Sequence, residues 1–305
     1  MDNSDTRLIN KITGLKKEKN AIILAHNYQL GEVQDIADFI GDSLELSQKA
    51  AKTDAAIIVF CGVQFMAETA AIICPDKTVL LPEMHAGCPM ANMVTVKRLR
   101  EEKKKHPKAT VVCYVNSTAA VKAESDICCT SANAVSVIER VADSEEIMFI
   151  PDQHLGSYVA SQTGREMILW PGYCPTHVRI QPQDITRLKA DYPQAKVIIH
   201  PECRTEVVAL ADRVLSTGGM IRFARETEAK EIIVGTEIGI IHRLKKENPG
   251  KKFIPASEQA VCPRMKLITL ETVLWSLEQM THRIRVPETT RLKAKTAVDR
   301  MLEVA

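Results

Sequence analysis

Aromatic residues are scarce in this chain of 305 residues, where Phe, Trp and Tyr together make up 4%. A surface that stacks nucleic-acid bases on aromatic rings is therefore disfavoured. A charge excess is lacking too, because 40 basic residues face 38 acidic ones, and neither a nucleic acid nor a membrane surface is indicated. No apolar run approaches the roughly 20 residues of a membrane span. The polar N-terminal segment lacks a signal h-region, and we expect a soluble cytoplasmic protein.

The nine cysteines lack the spacings of common metal and redox motifs. No CxxC pair occurs, so the usual zinc and thioredoxin patterns are absent. Their odd number, in a protein expected in the cytoplasm, disfavours a disulfide framework. A free cysteine is often a small core hydrophobe, and we interpret six of them in this way: Cys61, Cys74, Cys113, Cys128, Cys129 and Cys203.

The chain repeats one pattern three times, although its length alone predicts about two domains at roughly 150 residues each. Each repeat has three strand-like apolar runs and a closing Cys-Pro pair. A Ser or Thr also follows 17 positions after the His or Tyr near the end of the first run. The first runs span 21–28, 109–116 and 195–202, the second 55–62, 145–152 and 230–237, and the third 78–83, 166–172 and 251–257.

Helical apolar spacing between these runs predicts helices at 32–41, 43–52, 131–142 and 219–229. Alternating strands and helices predict parallel sheets with right-handed crossovers. We therefore expect an α/β fold of three pseudo-threefold-related, three-layer α/β/α domains with short parallel sheets around a central active site. The predicted segments are 1–107, a first domain with an N-terminal helix; 108–193, the second; 194–266, the third; and 267–305, C-terminal helices packing back on the first.

Equivalent strand ends of the three repeats would converge on a threefold axis, where parallel sheets bind their ligands. The three Cys-Pro pairs would then bring three thiolates together. A structural zinc site would need a fourth protein ligand, whereas a 4Fe–4S cluster held by three cysteines keeps one iron open as a Lewis acid. We favour the cluster, with Cys88, Cys174 and Cys262 as its ligands.

Polar residues at the same strand ends predict anion binding and proton transfer. The hydroxyl residues precede helical runs as N-caps, and three helix N-termini around one centre would cradle a phosphate or several carboxylates. His200 and Glu202 would share one face of an extended strand, where such a pair can move protons. Tyr28 is a candidate acid or hydrogen-bond donor. The hydroxyl residues are Ser43, Ser131 and Thr217.

Several motifs together resemble the quinolinate synthase family. They are HNYQ (26–29), GDS (41–43), YVNST (114–118), TSANA (130–134), PGYCPTH (171–177), HPEC (200–203), STGG (216–219) and CPRMK (262–266). The resemblance covers residues from about 20 to 280. It implies three α/β domains around one 4Fe–4S cluster and a transferase of pyridine nucleotide (NAD) biosynthesis. That enzyme condenses iminoaspartate with dihydroxyacetone phosphate to quinolinate, with loss of water and phosphate.

The resemblance also implies roles for single residues, with Cys88, Cys174 and Cys262 as cluster ligands. One departure is His154 in PDQHLG (151–156), where the family usually has asparagine. The implied partners are the two small-molecule substrates, with the enzyme that produces iminoaspartate as a further candidate. Catalytic roles fall to Tyr28, Tyr114, His200 and Glu202, and substrate binding to His26, Ser43, Asn116, Ser131, His177 and Thr217.

Two other functions fit parts of this pattern. A reductase of the hydroxymethylbutenyl diphosphate type also surrounds one cluster with three domains and three cysteines. It would need an electron donor, and its motifs differ from those in this chain. A non-catalytic metal-binding protein would need only the cysteines, and it would give no reason for His, Tyr and Glu at the strand ends.

Overall fold

The computed structural model describes residues 3–142 and 146–304, and it contains three four-stranded parallel sheets. The second strand of each unit lies at one edge, followed by the first, third and fourth. This confirms the predicted α/β class with three short parallel sheets. The strands are β1 (Ala21–His26), β2 (Phe39–Gly41), β3 (Ile57–Cys61), β4 (Thr78–Leu80), β5 (Thr110–Tyr114), β6 (Ile127–Cys129), β7 (Ile147–Ile150), β8 (Ile168–Leu169), β9 (Lys196–Ile199), β10 (Arg213–Val214), β11 (Glu231–Gly235) and β12 (Lys252–Pro255).

Helices cover both faces of the sheets, which explains why the central strands are continuous apolar runs rather than alternating ones. Every residue of β3 and of β7 is buried. The helices are α1 (Asn3–Glu18), α2 (Gly31–Ile36), α3 (Ser43–Lys52), α4 (Gln64–Ile73), α5 (Val96–Lys105), α6 (Ala119–Lys122), α7 (Ala134–Glu139), α8 (Gln153–Thr163), α9 (Pro182–Asp191), α10 (Thr205–Val208), α11 (Thr217–Glu226), α12 (Ile240–Glu247), α13 (Leu270–Gln279) and α14 (Glu288–Leu302).

The edge strands β2, β6 and β10 were missed from the sequence. The segment 32–41, predicted as one helix, contains all but the first residue of α2, a two-residue connection and then β2. The helix predicted at 131–142 is shorter, since α7 has six residues. Strands of two or three residues are too short to show a period of two, so the pattern could not reveal them. The run predicted at 145–152 begins at Glu145, which lies outside the described residues.

Each unit has an aspartate just before its second strand, β2, β6 or β10. Its side chain accepts a hydrogen bond from a backbone N–H of the unit's first strand, 15 residues earlier. The contact fixes the start of the edge strand beside its neighbour. The pairs are Ile23 N to Asp38 Oδ2 (2.7 Å), Val111 N to Asp126 Oδ2 (2.8 Å) and Val197 N to Asp212 Oδ2 (2.8 Å).

The two C-terminal helices pack on earlier parts of the chain. Helix α13 lies against α1 and β3, whereas α14 lies against α4 of the first unit and against α6 and β6 of the second. The division of the chain into domains at residues 107, 193 and 266 stays a prediction. Within the described ranges, no helix combines the length and the apolar character needed to cross a membrane.

Candidate active site

The three units share one cavity of about 300 Å³ at the carboxyl ends of their first strands. Every residue predicted from the sequence to act in catalysis, substrate binding or metal ligation lines this cavity. The wall also contains residues that were not predicted, including Asp42, Arg179, Glu237 and Arg264. The threefold repeat therefore builds one site from all three units.

The Cys-Pro pairs adopt one local structure in all three units. Each is followed by a short 3-10 helix, at Met90–Asn92, His177–Arg179 and Met265–Leu267. Backbone N–H groups two and three residues after each cysteine face its sulfur. These donors favour a thiolate, the form that binds metal. Burial has the larger and opposite effect, because it raises the pKa of Cys88 to about 12 and also raises the pKa values of Cys174 and Cys262.

Three thiolate ligands at one cavity wall suit a 4Fe–4S cluster with one iron open, whereas a structural zinc site would need a fourth protein ligand. Cys88, Cys174 and Cys262 are partly exposed, and the other six cysteines are buried, as predicted. Among the described residues, one group of three metal-type ligands has donor atoms that all lie within 4.8 Å of one another, and it consists of Cys174, His177 and Glu202. The residues present therefore fit a metal centre at this wall.

Glu202 is the centre of a buried hydrogen-bond network and is 3% exposed. Its Oε1 accepts from the Tyr114 hydroxyl at 2.6 Å and from Asn116 Nδ2 at 3.1 Å, and its Oε2 lies 2.7 Å from His177 Nδ1. Burial alone would raise the pKa of Glu202, but the contact with His177 and the Tyr114 hydrogen bond hold it below its usual range. Glu202 is therefore an ionised carboxylate in contact with the cavity.

His26 and His200 are neutral, because burial lowers the pKa of each to about 3. In both cases Nδ1 accepts a backbone N–H from two residues later, Tyr28 in the first unit and Glu202 in the third. The hydrogen of each imidazole is therefore on Nε2. In His200, Nε2 lies 3.2 Å from Ser131 Oγ.

This arrangement corrects the reason given for pairing His200 with Glu202. Strand β9 ends at Ile199, and the two residues lie in the turn that follows instead of on an extended strand. The turn, rather than a strand, points both side chains into the cavity. It places His200 Nδ1 3.9 Å from Glu202 Oε2.

The N-cap prediction for the three hydroxyl residues was wrong. Asp42 caps α3 and Ser216 caps α11, so Ser43 and Thr217 are the first helical residues. Ser131 lies before α7, which has Asn133 at its N-cap position. Since the preceding residues do the capping, the Ser43 and Thr217 side chains are not needed there. The Thr217 hydroxyl instead accepts a hydrogen bond from Asn27 Nδ2 at 2.9 Å.

Thr236 and Glu237 follow β11 directly and were both missed. The Thr236 hydroxyl lies 2.5 Å from the Tyr28 hydroxyl and 2.8 Å from His177 Nε2. The equivalent positions of the first unit, after β3, are the non-polar Gly62 and Val63. A polar pair directly after a buried strand was therefore the sequence signal that could have identified Thr236 and Glu237 as site residues.

Glu237 connects the third cysteine turn to the first unit. It is fully buried and accepts from Cys262 N at 3.0 Å, from Gly239 N at 2.7 Å and from Lys266 Nζ at 3.0 Å. Lys266 Nζ also donates to the carbonyl oxygen of Tyr28. The ion pair between the buried Glu237 and the partly buried Lys266 thus positions both Cys262 and the backbone of Tyr28.

His154, the departure from the family pattern, lies outside the cavity wall. It is the second residue of α8, and its N–H donates to the N-cap Asp152 at 2.8 Å. Burial lowers its pKa. The departure therefore leaves the residues that line the site unchanged.

Fold and site together define a protein in which three α/β units surround one cavity with three cysteines and a buried carboxylate at its wall. A family model described as NadA, quinolinate synthetase A protein, matches residues 10–303. A quinolinate synthase of Dehalococcoides mccartyi is 64% identical over 294 residues, which cover 96% of this chain and 97% of that protein. A quinolinate synthase of Methanosarcina barkeri is 57% identical over 297 residues, covering 97% of each chain. The chain belongs to the quinolinate synthase family.

Proposed function

We propose that this chain condenses iminoaspartate with dihydroxyacetone phosphate to quinolinate, with loss of water and phosphate, in the shared cavity. The observation that carries the proposal is the convergence of the three cysteine turns and the Glu202 network on one cavity. Membership of the quinolinate synthase family supports the same reaction.

The proposed cofactor is a 4Fe–4S cluster held by Cys88, Cys174 and Cys262. When bound, a cluster with one iron free of protein ligands supplies a Lewis acid for a hydroxyl or carboxylate oxygen. The protein contributes two backbone N–H groups at each sulfur, which favour the charged form of the ligand. Glu237 holds the Cys262 turn in place through the N–H of Cys262.

The carboxylates and the phosphate of the substrates require donors on the cavity wall. Ser43 and Thr217 begin α3 and α11, each ten residues long, and both line the cavity. At α11, where the cap is the neutral Ser216, the positive end of the helix dipole favours an anion, whereas at α3 the Asp42 carboxylate already accepts the N–H groups of Leu44 and Glu45. The neutral His26 and His200 add Nε2–H donors. Asn116 Oδ1 is buried and has no hydrogen-bond partner among the described residues, so it is an acceptor available to a substrate N–H or O–H.

Proton exchange with the substrates is assigned to Glu202, Tyr28, Tyr114 and His200. Glu202 is ionised and can accept a proton. Burial and the nearby Glu202 charge raise the pKa values of both tyrosines, which keeps their hydroxyl groups protonated and able to donate. A positioned side chain that transfers a proton typically contributes about 10²–10⁴-fold to the rate.

We also propose that the chain works in the cytoplasm and receives its imine from the enzyme that produces it. An imine hydrolyses in water, so transfer between neighbouring enzymes would limit its loss. Complex formation is a separate property from catalysis, and a cross-linking assay with the supplying enzyme would test it.

The test of the reaction is product formation by the iron-loaded chain under anaerobic conditions. Iminoaspartate is generated in place, dihydroxyacetone phosphate is added, and quinolinate and phosphate are measured. We expect quinolinate from the parent protein and much less from His200→Asn. The matched control is His106→Asn, because His106 pairs with Glu146 outside the cavity. Absence of quinolinate from the fully loaded parent would contradict the proposal.

A further inference from the structure

Asn27 lies behind the cavity wall, between a cavity residue of the third unit and a cation from helix α12. It is fully buried and does not line the cavity, unlike its neighbours His26 and Tyr28. Its Nδ2 donates to the Thr217 hydroxyl at 2.9 Å, and its Oδ1 accepts from Arg243 Nη1 at 2.8 Å. The side chain therefore joins the first unit to two elements of the third.

Both the backbone of Asn27 and the guanidinium beside it are held in place. The Asn27 carbonyl oxygen accepts from Gln34 Nε2 at 3.3 Å. Arg243 Nη1 also donates to the Ile40 carbonyl oxygen at 2.8 Å, and its Nε donates to Glu247 Oε1 at 2.7 Å. The Asn27 amide therefore has one position, with Arg243 on one side and Thr217 on the other.

The direction of both hydrogen bonds follows from groups that can only donate. A guanidinium group has no acceptor, so the Asn27 atom that faces Arg243 is the amide oxygen, and the amide nitrogen faces Thr217. An amide N–H only donates as well, so the Thr217 oxygen is the acceptor. Among the described residues, Asn27 is the one hydrogen-bond partner of this hydroxyl, which lies at the cavity wall. The hydroxyl hydrogen of Thr217 is therefore left for an acceptor inside the cavity.

Resting on the proposed function, in which Thr217 binds a substrate, the geometry gives a role to the side chain behind it. We propose that Asn27 is a positioning residue that occupies the Thr217 oxygen, so that the Thr217 hydroxyl presents its hydrogen to an oxyanion of the substrate. A hydroxyl fixed as a donor selects ligand groups that only accept. Both substrates carry such groups, a phosphate in one and carboxylates in the other. Hydrogen bonds to ionised acceptors are also roughly twice as strong as those between neutral groups.

Replacing Asn27 by aspartate reverses one hydrogen bond and keeps the shape of the side chain. One carboxylate oxygen still accepts from Arg243, whose charge favours the ionised form of the carboxyl group. The other oxygen takes the place of Nδ2 and can only accept, so the Thr217 hydroxyl turns its hydrogen away from the cavity. We expect the affinity for an oxyanion ligand to fall by about tenfold, the lower end of the effect of a hydrogen bond to a charged group.

Calorimetric titration of the iron-loaded chain measures this affinity without turnover. The ligands are dihydroxyacetone phosphate and, separately, malate, a stable dicarboxylate in place of iminoaspartate. A loss confined to dihydroxyacetone phosphate assigns the Thr217 hydroxyl to the phosphate, and a loss confined to malate assigns it to a carboxylate. The matched control is Asn248→Asp, because Asn248 is also buried and its Nδ2 bonds the Leu244 carbonyl oxygen at the end of α12, outside the cavity wall. The control should bind both ligands as the parent does, even if its Tm falls.

The new carboxylate also adds a negative charge near the ligand, and a double-mutant cycle separates this charge from the reversed hydrogen bond. Thr217→Val removes the hydroxyl, so Asn27→Asp in that background should change the affinity by less than about twofold. An equal loss in both backgrounds would overturn the inference, as would parent affinity for both ligands in Asn27→Asp alone.

During turnover, the KM of Asn27→Asp for the affected substrate should rise by the same factor, with kcat and iron content close to the parent. A fall confined to kcat would also overturn the inference. Since the titrations need no reaction, absence of quinolinate from the loaded parent would contradict the proposed function and not the role of Asn27, so the two failures are distinguishable.

Discussion

Replacing Glu202 by glutamine should slow quinolinate formation without emptying the site. The change keeps the side chain's shape and one oxygen for the Tyr114 and Asn116 donors at 2.6 and 3.1 Å. It removes the charge and the acceptor that faces His177 Nδ1 at 2.7 Å. Because a group that transfers a proton is typically worth about 10²–10⁴-fold, kcat should fall by roughly that factor. A residue that merely formed an exposed ion pair would contribute at most about 1 kcal/mol, which is less than tenfold in rate.

The assay measures quinolinate formed under anaerobic conditions at saturating dihydroxyacetone phosphate, together with iron content. The matched control is Glu68→Gln, because Glu68 accepts the Ala119 N–H at 2.8 Å outside the cavity and a glutamine oxygen can do the same. We expect parent activity from the control and an intact cluster in both variants. Near-normal quinolinate formation by Glu202→Gln, with full iron content, would refute the assignment of proton transfer to Glu202.

Three further predictions follow from the same contacts. The pKa values of His26 and His200 lie near 3, so the unfolded chain binds more protons between pH 6.5 and 3. Unfolding free energy should therefore fall as the pH drops through this window, by about 1.4 kcal/mol per pH unit for each histidine, and urea titrations of His26→Asn should show a shallower decline. Glu237→Ala leaves the Cys262 N–H and Lys266 without their acceptor; iron content and Tm should fall, and Glu237→Gln should restore part of the iron content. A small dicarboxylate should change the Mössbauer signal of one iron only, and four unchanged irons would exclude an open iron.

The threefold fold was predictable because its central strands are buried on both faces. Such strands appear as uninterrupted apolar runs, and the first run of each unit recurs 88 and then 86 residues further along the chain. The edge strands were not predictable in the same way, because β10 has two residues and β2 three. The aspartates at 38, 126 and 212 each lie 17 residues after the start of the unit's first apolar run, and this constant offset was an available signal for those edges.

The residues of the cavity wall were predictable because three repeats must place equivalent strand ends together. The predicted local structure of single residues was less reliable. Ser43 is not the N-cap of α3, because Asp42 is, and Glu202 lies in a turn and not on a strand. Both errors came from assigning regular structure up to the polar residue. At the ends of strands and helices the backbone is no longer regular. The periodicity of apolar residues therefore cannot predict where a side chain points at these positions.

The polar pair Thr236-Glu237 marked a strand end, but the contacts of the two residues could not be predicted, because their partners are distant in the chain. Thr236 contacts Tyr28, which lies 208 positions away in the chain. Glu237 acts through Lys266, which reaches the carbonyl oxygen of Tyr28, 238 positions earlier. Contacts of this kind exist only after the three units have packed together.

The central claim is that the three Cys-Pro turns form one metal centre at the site of the reaction. The most direct measurement is the iron and sulfide content of the anaerobically purified chain and of its single Cys→Ser variants, with quinolinate formation measured on the same samples. We expect about four irons and four sulfides per chain, and loss of both the cluster and the activity in Cys88→Ser, Cys174→Ser and Cys262→Ser. Cys74→Ser is the control, because its hydroxyl can keep the hydrogen bond to the Ala50 carbonyl oxygen at 3.2 Å. Full iron content and parent activity in Cys174→Ser would contradict the account.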